Sequence, residues 1–223
     1  MRILLIPDLY ESPDQWQAVI DAFATFDLPA DVFTYEPPRT SDLSNIVADV
    51  TQHLIDETYV IGYGLGGRIA IQLASQNPHH LAGSMLISTP AVPAPGFAAF
   101  LYKIWRVVTT PIRILIPFYF RKKFVTSIKK LRPGDPKKSV YRELTAPPMD
   151  SFFLKITDPV LILWGARDSK TKPKIAERIS EIMHEMDVKH DVQFVANGQA
   201  ALHRTHPLVV VSAAISVLKS KSV

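Results

Sequence analysis

Short apolar runs alternate with segments of helical period along most of the chain. The runs are bounded by turn residues and are too short for helices, which is typical of buried parallel strands. Strands are predicted at Arg2–Pro7, Ala30–Tyr35, Thr58–Gly62, Ala82–Ser88, Pro159–Trp164 and Asp191–Val195. Helices are predicted at Pro13–Phe26, Leu43–Asp56, Leu65–Asn77, Pro173–Met186 and Pro207–Lys219. The alternation predicts an α/β fold with a doubly wound, mostly parallel sheet of about six strands.

The alternation breaks after residue 88, where the chain becomes rich in proline, aromatic and basic residues. Apolar side chains recur there at helical spacing, which predicts a helical cap over the carboxyl edge of the sheet. They are Phe97, Phe100, Leu101, Ile104, Trp105, Val108, Ile112 and Leu115. We therefore divide the chain into a first core segment (1–88), a cap insert (89–157) and a second core segment (158–223).

The positive charge of the chain is concentrated in this insert. Residues 89–150 hold 12 basic and 3 acidic side chains, a net charge of +9, and the rest holds 13 basic and 18 acidic ones, a net charge of −5. The basic side chains form either a solvated outer face of the cap or a docking surface for an anionic membrane, an acidic protein or a negatively charged ligand. No nucleic-acid-binding motif is present, so nucleic acid is not an expected partner.

Composition excludes several kinds of chemistry. The 223 residues include no cysteine, so disulfides, thiolate catalysis and cysteine-ligated metals are excluded. The first apolar run is too short for a signal peptide, and no 18-residue stretch of the insert is free of charge and proline. We expect a cytoplasmic protein without a metal or a cofactor.

The third predicted strand runs into a helix through Gly62-Tyr63-Gly64-Leu65-Gly66. This segment resembles the nucleophile elbow of the α/β-hydrolase fold superfamily, in which G-x-S-x-G turns sharply from strand to helix and presents a serine. Gly64 stands at the serine position. The N-myc downstream regulated family similarly has glycine at the elbow, so the resemblance implies a lost nucleophile.

Further segments resemble the same superfamily in chain order. Ile3–Leu9 is similar to the first strand and its oxyanion loop, with Pro7-Asp8 where His-Gly is usual. The strand that ends at Trp164 leads to Asp168, at the position of the triad acid. The loop before Pro207 resembles the one that carries the catalytic histidine, and that position falls on Ala200, or on Gln199 in the other register. Neither residue can act as a base.

Four residues near these motifs allow two interpretations each. Asp168 is either the remnant triad acid or a simple turn former. His203, and with it His206, is either a surface or cap residue or a substitute base. Asp8 is either a solvated turn residue or a carboxylate beside the former oxyanion hole, where it would repel a developing oxyanion.

A different class of site competes for the same glycines. Gly62-x-Gly64-x-x-Gly67 fits the G-x-G-x-x-G dinucleotide fingerprint between a strand and a helix. That fingerprint belongs to the first βαβ unit and needs an acidic residue about 20 positions later, whereas here it follows the third strand and no acid stands at that distance.

The resemblance therefore predicts a catalytically inactive pseudo-hydrolase with a ligand-binding or interaction role. Loss of a triad member costs about four decades of rate, and here both nucleophile and base are missing. The alternative is an esterase or lactonase that acts on small carboxylic esters by an altered mechanism. A pocket for a small apolar or acyl ligand is expected at the carboxyl ends of the strands, lined by Asp8, Leu9, Gly64, Leu65, Trp105 and Asp168.

Overall fold

A computed structural model describes residues 1–38, 40–92 and 136–221 of the chain. Six parallel strands form one sheet in the order β2-β1-β3-β4-β5-β6. They are β1 (Arg2–Ile6), β2 (Ala30–Val32), β3 (Thr58–Tyr63), β4 (Leu81–Ile87), β5 (Val160–Gly165) and β6 (His190–Val195). The predicted fold class is confirmed.

Helices follow the strands and cover both faces of the sheet. They are α1 (Gln17–Ala24), α2 (Ser44–Gln52), α3 (Leu65–Ala74), α4 (Pro136–Thr145), α5 (Asp150–Phe153), α6 (Lys174–Glu185), α7 (Leu202–Thr205) and α8 (Pro207–Lys221). The predicted helix from Pro13 begins instead as a 3₁₀ turn over Pro13–Trp16. The helices α5 and α7 were not predicted, because a single turn is too short to show a helical period.

Every residue of the central strands β3, β4 and β5 is buried, which explains their continuous apolar runs. The edge strands are only partly buried. The strand β2 ends at Val32 rather than at the predicted Tyr35. Its backbone follows β1 only one residue further, where the Phe33 amide donates to the Leu5 carbonyl at 2.8 Å.

The strand order places a topological switch point beside β1. The chain passes from β1 outward to β2 and then returns across β1 to β3, so β1 has a neighbour on each side. Ile6 at the end of β1 pairs with Gly62 near the end of β3. The residues that follow these strands are therefore brought to one place at the carboxyl edge, where open α/β sheets bind ligands.

The chain divides into two compact units, one formed by Met1–Pro93 with Leu144–Val223 and the other by Ala94–Glu143. Trp105 and the other apolar positions of the predicted cap lie outside the described residues, so its role as a pocket roof stays a prediction. Lys137 and Lys138 of α4 are exposed. Among the helices that the structure describes, none is long and apolar enough to cross a membrane.

Candidate active site

Gly64 forms a sharp turn between β3 and α3. Its backbone has φ 57° and ψ −116°, a conformation that costs residues with a side chain about 1–3 kcal/mol. The amide of Gly64 donates to the Ile87 carbonyl at 3.1 Å, which fixes the turn to the end of β4. Two residues later, α3 approaches β1 so closely that a Cβ on Gly66 would overlap the Ile6 carbonyl. The turn therefore depends on glycine at both positions.

The Asp8 carboxylate occupies the space beside Gly64. The Leu65 amide, the first of α3, donates to Asp8 Oδ1 at 2.7 Å. A Cβ built on Gly64 would lie 2.8 Å from Asp8 Oδ2 and closer still to the carboxyl carbon, nearer than real Cβ atoms approach other atoms. The interpretation of Asp8 as a solvated turn residue is wrong, because its carboxylate is partly buried and bonded to the start of α3.

Burial raises the pKa of the Asp8 carboxyl to about 6, and the charge of Glu11 adds to the rise. Hydrogen bonds from the amides of Leu65 and Leu9, together with the charge of Lys170, lower the pKa and limit the increase. The Leu65 amide thus meets a carboxylate that is ionised at neutral pH. The amide at this position of the turn, together with a second amide, is what stabilises oxyanions in acyl-transfer enzymes with a nucleophile elbow.

Behind Asp8, Glu11 ties the loop after β1 to His203. Glu11 Oε2 accepts the Asp8 amide at 3.1 Å and the Trp16 indole N–H at 3.3 Å. Glu11 Oε1 lies 2.8 Å from Nε2 of His203, whose ring stacks on Trp16 with centroids 4.2 Å apart. His203 is fully buried, so its interpretation as a surface or cap residue is wrong. Its contact with Glu11 places it in a buried hydrogen-bond network with Glu11 and Trp16.

Tyr63 joins this network to the turn. Its ring lies against His203 with centroids 4.7 Å apart, and its backbone directly precedes Gly64. Burial raises the pKa of the Tyr63 hydroxyl, and the charges of Asp8, Glu11 and Asp168 raise it further. The hydroxyl therefore stays protonated at neutral pH.

Asp168 lies in the turn that follows β5, and only 4% of its surface is exposed. Its Oδ1 accepts the amides of Lys170 and Thr171, each at 2.8 Å, as a turn-forming aspartate does. Its Oδ2 is buried without a hydrogen-bond partner among the residues that the structure describes. One oxygen thus fits the turn interpretation, and the other is left for a donor of the kind that a triad histidine would provide.

A cavity of about 350 Å³ opens beside Asp168. Ala200, which is buried, and Gln199 both line it, so both candidate histidine positions share this cavity with Asp168. Lys170 and Arg204 line it as well. Of the described residues that were predicted for an apolar pocket, only Asp168 lines this cavity, and the charged lining differs from the apolar lining that was expected.

Phosphate binding and metal binding at this edge of the sheet have less support than a hydrolase-like site. A phosphate at the start of α3 would need the Leu65 amide, which Asp8 already uses. In the described part of the chain, no three histidine, aspartate or glutamate side chains are grouped so as to hold a metal ion. Sequence reasoning missed the roles of Glu11, Tyr63, Lys170 and Arg204, because none of them stands in a recognisable motif.

Comparison with solved structures finds the same architecture over nearly the whole chain. A bromoperoxidase from Bacillus anthracis is 13% identical with a TM-score of 0.69, covering 98% of this chain and 92% of that one. An α/β-hydrolase enzyme from a sediment metagenome of the Mar Chica lagoon is 15% identical with a TM-score of 0.65, covering 100% and 92%.

The chain has the α/β-hydrolase fold. A monoacylglycerol lipase from Paleococcus ferrophilus is similar too, at 17% identity and a TM-score of 0.60, covering 96% of this chain and 94% of that one. Neither a protein-family model nor a curated protein matches the sequence significantly. At identities this low, the similarity shows a shared fold alone. The activities in these names are those of the named proteins.

Proposed function

We propose that this α/β-hydrolase-fold protein is a catalytically inactive pseudo-hydrolase that binds a small ligand. A single observation carries the proposal: the Asp8 carboxylate accepts the Leu65 amide and fills the space that a side chain at residue 64 would need. Gly64 corresponds to the elbow nucleophile, and Ala200 or Gln199 to the general base. Of the three triad positions, only Asp168 keeps a side chain able to serve.

The position of Asp8 acts against acyl transfer in two ways. Its charge lies where negative charge would develop on an attacked ester, and repulsion between like charges raises that barrier. It also uses the amide of Leu65, one of the donors that an oxyanion would need. Even with another nucleophile nearby, an ester carbonyl would meet an occupied oxyanion site.

The second candidate is a hydrolase of esters or lactones that works by an altered mechanism. The observation that favours it is the same carboxylate, since aspartate serves as a nucleophile in other enzymes and Asp8 lies at the turn where a nucleophile is expected. The two candidates predict different effects of removing the Asp8 carboxylate. A hydrolase that uses Asp8 would lose its ester turnover, whereas a binding protein has no turnover to lose.

A panel of activated esters and a fluorophosphonate probe separates these candidates. We expect the wild-type chain to hydrolyse p-nitrophenyl acetate and butyrate at the same rate as Asp8→Asn, which retains an acceptor for the Leu65 amide. Asp56→Asn is the matched control, because Asp56 is exposed and lies away from the turn. Fluorophosphonate labelling, or turnover that falls in Asp8→Asn and not in Asp56→Asn, would overturn the proposal.

The basic insert carries a separate part of the proposal, an affinity for anionic membranes. Its net charge of +9 supports attraction to anionic lipid, which contributes about 1 kcal/mol for each basic residue at the surface. We expect binding to phosphatidylserine vesicles to fall when Arg121, Lys122, Lys123, Lys129 and Lys130 are replaced by glutamine. Unchanged vesicle binding would contradict the proposed membrane affinity. The alternative partner of the basic insert is an acidic protein.

A further inference from the structure

The chain leaves the first compact unit and returns to it at one place. The first part of this unit ends at Pro93, and the unit resumes at Leu144. We call the two flanking segments, residues 89–92 and 144–149, the two sides of the stem. They touch directly, because the Met149 amide donates to the Ala91 carbonyl at 3.2 Å. Both of these residues are buried, so the contact is enclosed within the first unit.

Arg68 of α3 binds both sides of the stem. Its Nη1 donates to the Pro90 carbonyl at 2.7 Å on one side and to the Thr145 carbonyl at 3.3 Å on the other. Its Nη2 donates to the Pro147 carbonyl at 2.6 Å. Only 3% of Arg68 is exposed, so the guanidinium meets these carbonyls away from water, where a hydrogen bond from a charged donor is stronger than at the surface.

The shape of the guanidinium suits a bridge between two segments. Its N–H groups are fixed in one plane and point in different directions, so one side chain can serve carbonyls on both sides of the stem at once. A lysine has a single nitrogen on a flexible chain, which cannot hold two segments in a fixed arrangement. The contacts of Arg68 therefore depend on arginine and not on positive charge alone.

A second side chain holds the returning segment further along. Asn77, which follows α3, donates from Nδ2 to the Lys155 carbonyl at 2.7 Å. Its Oδ1 accepts the Thr157 hydroxyl at 2.9 Å and the Thr157 amide at 3.3 Å. These contacts lie on the returning side of the chain, whereas those of Arg68 join both sides. Loss of Arg68 would thus leave residues 155–157 anchored.

We propose that Arg68 is a clasp, a positioning residue that holds the two sides of the stem together and fixes them to α3. The first amide of this helix holds Asp8, so the clasp joins the stem to the helix that begins at the Gly64 turn. All of its contacts lie within the first unit, and it does not depend on the proposed function. Loss of the clasp should open the stem locally while the sheet keeps its structure.

Hydrogen exchange of the whole chain, followed by NMR at single amides, tests the clasp. In Arg68→Lys we expect the Met149 amide to exchange at least about tenfold faster, because its acceptor on Ala91 is no longer held opposite it. The amides of β4 should exchange at the wild-type rate, as should the Thr157 amide, which Asn77 still holds. Unchanged exchange at Met149 would overturn the proposal. An equal rise in β4 would show a general loss of stability and overturn it as well.

Gln72→Met is the matched control. Gln72 lies one turn further along α3 and is buried, but its Nε2 donates to Ser44 Oγ of α2 at 3.3 Å and not to the stem. Both substitutions therefore remove a buried polar contact of the same helix. If Gln72→Met speeds exchange at Met149 as much as Arg68→Lys does, the stem responds to any change in α3 and the clasp is rejected.

A cross-link gives a second test, which applies even if Arg68→Lys does not fold. The chain has no cysteine, so Ala91→Cys with Met149→Cys can form a disulfide only between the two sides of the stem. Added to Arg68→Lys, the oxidised pair should restore any lost folding and bring exchange at position 149 to within about threefold of the wild-type rate. Reduction should reverse both effects.

Two outcomes of the cross-link would overturn the clasp. An oxidised variant that stays unfolded, or that still exchanges rapidly at position 149, would show that Arg68 acts elsewhere than at the stem. Failure of the cysteine pair to form a disulfide in the otherwise wild-type chain would show that the two sides of the stem are not adjacent.

Discussion

The two halves of the candidate site, the Gly64 turn and the surroundings of Asp168, differ in how their polar groups are satisfied. At the Gly64 turn, the space is filled by the Asp8 carboxylate, which accepts the Leu65 amide. Beside Asp168, a cavity of about 350 Å³ lies next to Ala200, and a carboxylate oxygen is unpaired within the described structure.

The difference follows from which polar groups remain at each place. The turn leaves backbone N–H donors, which another part of the same chain can satisfy with a carboxylate. The second half leaves an acceptor without a donor, and Lys170 and Arg204, which line the cavity there, are exposed. The chain therefore satisfies the first half internally, whereas in the second half one buried acceptor, Asp168 Oδ2, is unpaired among the described residues.

The largest effect is expected from introducing a serine and a histidine at the candidate site, and it should depend on removal of Asp8. Gly64→Ser with Ala200→His should show background esterase activity, because the serine would collide with the Asp8 carboxylate. Adding Asp8→Gly frees the space and the Leu65 amide, so the rate should rise at least about 100-fold. The measurement is p-nitrophenyl acetate hydrolysis, with folding checked by circular dichroism and a cooperative melt. A folded triple variant no faster than the double one would contradict the comparison.

Stability should distinguish the two halves as well. Glu11→Ala removes one partner of the buried pair with His203 and leaves the Asp8 and Trp16 N–H groups without their acceptor, so the free energy of unfolding should fall by about 3–5 kcal/mol. Asp168→Asn retains the turn hydrogen bonds and should cost less than about 1 kcal/mol. Urea unfolding measures both, and equal losses would remove the distinction.

Added side-chain volume offers a direct comparison of the filled and the open half. Gly64→Ala should lower the free energy of unfolding by about 2–3 kcal/mol, because of its positive φ and its collision with Asp8. Ala200→Val extends a side chain that lines a cavity, so its effect should stay within about 1 kcal/mol. Gly64→Ala with Asp8→Gly should recover part of the loss. Thermal melts measure the order of stability. If Gly64→Ala is no less stable than Ala200→Val, Asp8 does not fill the space at the turn.

The smallest effect concerns the charge of Asp8. Its pKa rises from 3.8 to about 6 on folding, so the unfolded chain releases this proton first and stability is lost as pH increases from about 4 through 6. Asp8→Asn should therefore exceed the wild type in stability by about 1 kcal/mol at pH 8, a value reduced because the side chain is partly exposed. The difference should vanish near pH 4. Urea unfolding of the wild type and of Asp8→Asn at pH 4 and pH 8 measures this difference in stability, with Asp56→Asn as the control.

The sequence alone determined the sheet, the turn and the position of Asp168. Apolar runs between turn residues predicted six strands, because burial of central strands on both faces requires continuous apolar sequence. Gly64 could be placed between a strand and a helix because glycine, strand and helix signals are all local. Strand ends were less certain: β2 stops at Val32, where pairing with β1 limits it.

Only the tertiary structure decided what surrounds those positions. Asp8 and Leu65 lie 57 residues apart, and Glu11 and His203 lie 192 apart, so their contacts depend on strand order and on packing of the chain ends. The burial of His203 under Trp16 and the charged lining beside Asp168 have no local signature in the sequence either. Local patterns report which face of an element is buried, whereas the partner of a buried charge is set by elements distant in sequence.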